Sequence, residues 1–92
     1  MDQRIRETIK STLEKYNLKS VSIFGSYARG EENENSDLDI LISLNDDLNL
    51  LEIIGMEQEL EDILGMKVQI ITDRSIKPQL KEYIYHDLIP VI

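Results

Sequence analysis

The chain has 92 residues, with 18 Asp or Glu against 10 Lys or Arg, for a formal charge of −8. That balance argues against a nucleic-acid backbone as the main partner, because phosphate tracking needs clustered cations. With no cysteine, neither a disulfide framework nor a thiolate metal site is available. A chain of this size buries only about 60–65% of its unfolded surface, so a small core that gains from a partner is expected. The opening Met-Asp-Gln-Arg-Ile-Arg-Glu lacks the apolar run of a secretory signal, and nothing approaches the ~20 apolar residues of a membrane span. The expectation is one cytoplasmic domain over residues 1–92 with no membrane partner.

In chain order, Asp2 is placed to cap a helix whose apolar positions are Ile5, Ile9, Leu13 and Tyr16, spaced by four and three. The interspersed Arg, Lys and Glu read as its solvated face. Lys19 to Phe24 alternates polar and apolar residues, a short strand. Gly25 permits a tight turn, Ser26 to Arg29 one helical turn, and Glu31 to Ser36 a polar loop. Asp37 to Leu44 is the clearest strand, nearly all apolar after its first residues, as in a strand covered on both faces. Asn45-Asp46-Asp47 then forms a turn with capping potential.

The next helix takes Leu50, Ile53, Ile54, Leu60, Ile63 and Leu64 as its buried stripe and stops at Gly65, with Glu52, Glu57, Glu59, Glu61 and Asp62 outside. Those acids read as a solvated face, with a docking surface for a basic partner as the alternative. Lys67 to Thr72 is a third strand. Asp73-Arg74-Ser75 turns into a helix with Pro78 in its first turn, whose apolar side is Leu80, Tyr83 and Ile84. His86, the lone histidine, fits a helix end rather than a metal site. The tail Leu88–Ile92 reads either as an edge strand, since Pro90 forbids a central one, or as a segment that docks on a partner. The whole reads as an α/β (α+β) fold, a small β-sheet flanked by helices.

The chemistry gathers between Ile23 and Ile42. Carboxylates at alternate strand positions project from one face, so Asp37 and Asp39 stand side by side. Two hard oxygen ligands suit Mg²⁺, which is held by one or two carboxylates together with substrate phosphates. The Gly25-Ser26 turn offers backbone N–H groups and a hydroxyl of the kind that cradle phosphates.

Gly25-Ser26, ten residues, then Asp37-Leu38-Asp39 resembles the signature of the DNA polymerase beta-type nucleotidyltransferase superfamily. The fuller text Gly-Ser-Tyr-Ala-Arg-Gly, followed by Ser36-Asp37-Leu38-Asp39-Ile40-Leu41-Ile42, is similar to its minimal nucleotidyltransferases (MNT). The resemblance covers nearly the whole chain. It implies the nucleotidyltransferase fold with a mixed sheet, Gly25 and Ser26 holding the triphosphate of ATP or another nucleoside triphosphate, and Asp37 and Asp39 holding Mg²⁺. Arg29 is then placed either to reach a phosphate or to pair with a loop Glu. It also implies transfer of a nucleoside monophosphate, AMP from ATP, to a hydroxyl of a partner. That partner would be a small helical HEPN protein, with this chain as antitoxin of a HEPN–MNT pair. Self-association stays open.

One position departs from the pattern. The superfamily's third carboxylate falls on Gln69, which cannot accept a proton at neutral pH. Asp73 or a loop Glu is the substitute to look for. The alternative reading is therefore a catalytically weak or inactive nucleotidyltransferase-like module that neutralises a HEPN partner by contact.

Overall fold

The computed structural model describes residues 2–45 and 48–92. Its elements are α1 (Gln3–Leu13), β1 (Leu18–Phe24), the one-turn α2 (Ser26–Arg29), β2 (Leu38–Leu44), α3 (Leu50–Leu64), β3 (Val68–Thr72), a 3₁₀ turn (Asp73–Ser75), α4 (Pro78–His86) and β4 (Ile89–Pro90). The strands form one sheet in the order β3-β2-β1-β4. β1 runs antiparallel to both β2 and β4, while β2 and β3 are parallel. The expected small mixed sheet flanked by helices is what forms, with the tail as its short edge strand. No described helix is long and apolar enough to cross a membrane.

The sheet is covered unequally. On one face, Ile5, Ile9 and Leu13 of α1 and Met56, Leu60 and Leu64 of α3 close over Val21, Ile23, Leu38, Ile40, Ile42, Val68 and Ile70. On the other face the buried set is only Leu41, Ile76 and Ile84, flanked by Phe24, Ile71 and Leu88. Helix ends are fixed locally. Asp2 Oδ1 accepts from Arg4 N at 2.8 Å, as its position in the sequence implies. Asn49 caps α3 in a reciprocal box with Glu52, and Gly65 ends that helix at φ 69°, a conformation that favours glycine. The turn at Asp46-Asp47 lies outside the described residues.

Two expectations about helix faces are overturned. The buried row of α3 is Met56, Leu60 and Leu64, whereas Leu50 and Leu51 are 70% and 77% exposed and Ile54 and Ile63 about half exposed. A helix meets a sheet along a narrow row, and α3 carries more apolar residues than that row accepts. On α4 only Ile84 is buried. Leu80 lies largely open and Tyr83 is 67% exposed, because this short helix touches the sheet at one point.

A third correction concerns the acids of α3. Glu57 and Glu61 are not a solvated face. Glu57 Oε2 accepts from Ile70 N at 2.8 Å and Glu61 Oε2 from Val68 N at 3.0 Å. β3 is an edge strand, and alternate N–H groups of an edge point away from the sheet. Four residues of helix rise about 6 Å and two residues of strand about 6.6 Å, so carboxylates one turn apart match alternate strand amides. A docking surface on α3 loses these two acids to the interior of the fold.

Replacing Glu57 and Glu61 singly by Ala should cost about 0.5–2 kcal/mol each in urea denaturation, the range for charge-assisted hydrogen bonds with a partly wet alternative. Gln keeps an acceptor at the same reach and should cost less. Equal losses for Ala and Gln would mean that the carboxylates do not hold the edge.

Candidate functional site

The sheet's mixed topology brings three strand ends to one place. Because β1 is antiparallel to β2, and β3 is parallel to β2, the C-terminal end of β1 lies at the same end of the sheet as the N-terminal ends of β2 and β3. In register, Phe24 stands opposite Asp39, and Asp39 beside Gln69. Leu38 and Ile40 are fully buried toward α1 and α3. Asp39 therefore points to the other face, partly exposed, and Asp37, just before β2, is close enough for its charge to bear on Asp39.

The turn after β1 closes on these acids. Gly25 has φ 76° and ψ −153°, backbone that a side chain rarely tolerates. A Cβ built on it would overlap Asp39 Oδ2 and lie 3.3 Å from Asp39 Cγ. The missing side chain is what lets the Gly25-Ser26 backbone come up against the carboxylate. Ser26 opens α2, which ends at Gly30 with φ 70°. The turn that begins at Gly25 thus comes up against Asp39, one of the two expected acids.

Electrostatics at this mouth are unbalanced. The pKa of Asp39 is raised above its usual value, first by burial, then by the negative charge of Asp37, with Arg29 pulling it down. Two like charges on one face without enough cation between them suit a divalent ion. Among the described residues no group of three or more His, Cys, Asp or Glu is placed to hold a metal. The donor set is thus a pair of carboxylates, and it fits Mg²⁺ shared with the phosphates of a substrate rather than an all-protein cage.

Arg29, at the end of α2, leans away from the acids. Its Nε donates to Glu31 Oε2 at 3.1 Å and its Nη1 lies 3.8 Å from Asp87 Oδ2. The loop-Glu pairing is the one the chain adopts on its own, and Asp87, from the end of α4, joins it. No spacing in the sequence signalled Asp87. Its only local hint is an acid at a helix C-terminus, where the dipole disfavours it.

The substitutes for a third acid are accounted for. Asp73 is committed elsewhere, accepting from Ser43 Oγ at 2.9 Å. Ser43 lies four residues along β2 from Asp39, about 13 Å at strand rise, so Asp73 does not reach the pair. Glu31 is held by Arg29. Gln69 is exposed and in register with Asp39, where the third carboxylate of the pattern belongs. Of the aromatic residues, Tyr27 packs partly against the main core, and Tyr83 and Tyr85 stay exposed. His86 ends α4 and contacts Asp87 Oδ1 at 3.0 Å.

Comparison with known proteins agrees with this geometry. Residues 5–91 match the Nucleotidyltransferase domain family. The chain belongs to that family. It is 48% identical over 86 residues to a candidate protein adenylyltransferase of Methanocaldococcus jannaschii, covering 92% of this chain and 88% of the relative. A toxin–antitoxin crystal structure with AMP-PNP superposes at TM-score 0.85 with 25% identity, over 95% of this chain and 72% of that one. A tri-AMPylated HEPN toxin of Shewanella oneidensis in complex with MNT antitoxin gives TM-score 0.81 at 22% identity, over 100% of this chain and 72% of that one. At that identity the last likeness speaks for the fold alone.

The raised pKa of Asp39 has a consequence for the metal-free protein. The folded chain holds that proton more tightly than the unfolded chain, so the stability it contributes is present at low pH. It is lost as pH rises from the ordinary carboxylate value of 3.8 through the raised one. Asp39→Asn should therefore raise Tm in EDTA at pH 7, at about 4–8 °C per kcal/mol for a domain of this size, with the gain vanishing below about pH 3. A variant melting lower than wild type at pH 7 would contradict the unbalanced charge.

Proposed function

We propose that residues 1–92 act as a single minimal nucleotidyltransferase domain that transfers AMP from ATP to a hydroxyl of a partner protein, with Mg²⁺. In this reading the chain is the antitoxin of a HEPN–MNT pair. The observation that carries it is the close approach of the Gly25 backbone to the Asp39 carboxylate, with the charge of Asp37 nearby. A nucleoside triphosphate bound there touches the turn and the acids at once. The relative, a candidate protein adenylyltransferase, supports AMP transfer to a protein, and the toxin–antitoxin structure with AMP-PNP supports ATP and a toxin partner.

The roles follow from position. Gly25 admits the phosphates close to the backbone and Ser26 offers its hydroxyl to them. Asp37 and Asp39 would hold the cation, and Arg29 would offset the remaining charge of the phosphates. When bound, Mg²⁺ supplies charge neutralisation for the attacking and leaving oxygens. The acceptor oxygen attacks the α-phosphorus, the bond to the β,γ-pyrophosphate breaks with pyrophosphate leaving, and the acceptor proton passes to solvent water. Gln69 cannot take it. Loss of a positioned base typically costs about 10²–10⁴ in rate, so turnover is expected to be slow.

That same register supports a second reading, in which the domain binds nucleotide and neutralises the partner by contact with little or no transfer. The two separate in one assay. With α-labelled ATP, Mg²⁺ and the helical protein encoded beside it, wild type should label the partner. Asp37→Asn and Asp39→Asn should each lower labelling by at least about 10²-fold. Gln69→Asp, which restores a carboxylate beside Asp39, should raise the rate about tenfold or more. An unlabelled partner that nonetheless copurifies with the double Asp variant decides for contact alone.

A further inference from the structure

Arg29 is the cation whose charge reaches Asp39 at the Asp37–Asp39 mouth, and three elements bid for it. Glu31 of the following loop takes Nε at 3.1 Å. Asp87 of α4 stands 3.8 Å from Nη1, and Tyr83, one turn earlier on α4, and Asp39 both lie within electrostatic reach of the guanidinium. Arg29 and Asp87 side chains are 30% and 28% exposed, so their attraction is screened only in part. Asp87 is itself oddly placed, an acid capping the C-terminal end of α4, where unpaired carbonyls repel it. His86 Nδ1 offers local contact at 3.0 Å, and Arg29 supplies the permanent charge.

Helix α4 has little else to hold it. Ile84 is its one buried residue, seated against Leu41 and Ile76 on the thinly covered face of the sheet. The Arg29–Asp87 pair is thus a second point of attachment, and it fastens α4 to the same short helix that begins at Ser26.

We propose that the Arg29–Asp87 pair is a latch coupling nucleotide occupancy to helix α4. A triphosphate in the mouth and Asp87 compete for one guanidinium, so binding the nucleotide releases the C-terminal half of α4. By linkage, whatever displaces α4 from Arg29, including a partner docking on its exposed Leu80–Tyr83 side, tightens nucleotide binding by the same factor. The latch rests on the nucleotide-site reading given above, with Asp87 as a positioning residue that acts through Arg29 and touches no substrate.

The test measures affinity for Mg·AMP-PNP by calorimetry on the full chain, and amide exchange across Lys81–His86. Asp87→Asn keeps a residue suited to the helix end and should tighten binding about two- to fivefold, the worth of a partly screened ion pair. Arg29→Gln should weaken binding, and in that background Asp87→Asn should do nothing further. Glu82→Gln, which removes one negative charge from the exposed side of the same helix, should leave affinity unchanged and so exclude a general charge effect. Nucleotide should speed exchange in α4 of wild type and have no such effect in Asp87→Asn. If wild type binds nucleotide and Asp87→Asn binds it no more tightly, or tightens it equally in the Arg29→Gln background, the latch is overturned while the site stands. Absence of nucleotide binding by folded wild type overturns both.

Discussion

Between Gly25 and the carboxylate of Asp39 there is room for a hydrogen and nothing larger. Everything chemical in the molecule depends on that clearance. A side chain at position 25 would both overlap Asp39 and sit in backbone of positive φ, so the chain would have to reroute the turn or tilt the acid. Either adjustment would separate the hydroxyl of Ser26 from the two carboxylates. The clearance in turn depends on register. Phe24 is paired with Asp39 because the apolar residues of β1 and β2 must face α1 and α3 together, and a slip by one residue would send Asp39 into that core. Hydrophobic burial on one face thereby sets a polar geometry on the other.

The two faces do different work. α1 and α3 seal one of them almost completely and carry the stability. The other is thin, and its thinness is what leaves Asp39 half in water, close to a second charge. A thicker cover over that face would add apolar contacts and also bury Asp39 further, raising its pKa. α4 resolves the conflict by touching the sheet with Ile84 alone. The open edge at β3 is handled with equally little material, since two carboxylates from α3 stand in for the strand that is not there.

Legibility from sequence followed the range of the forces involved. α1, β1 and β2 were readable because their caps and periodicities are local, as Asp2 and the alternation through Ile40 show. The direction of Asp39 was readable because a strand's two-residue period fixes it without knowledge of neighbours, whereas Asp37, expected to open the strand, falls just before β2. Gln69 was placed beside Asp39 by the family pattern together with strand alternation, and the parallel register agrees. Leu50, Ile54, Ile63 and Tyr83 misled because an apolar residue at helical spacing records what a helix offers, not what the sheet accepts. Glu57 and Glu61 misled for the complementary reason. An acid on an outer row looks solvated until one knows that edge amides stand opposite. Asp87 was beyond reach altogether, since its tie to Arg29 crosses most of the chain and leaves no periodic trace.

Gln69 bears on more than turnover. A third carboxylate at that position would stand one strand spacing, about 4.8 Å, from an Asp39 whose pKa is already lifted by burial and by Asp37. At that range a further negative charge would push the proton affinity of Asp39 higher still, and the empty site would lose stability near neutral pH. The amide avoids this repulsion and keeps a carbonyl that can still face a cation. The chain thus gains stability in the resting state and gives up a proton acceptor during the reaction. Such an exchange suits a domain with a small core that must stay folded between encounters with nucleotide. It suits poorly one selected for rapid turnover, and position 69 is where the two demands meet.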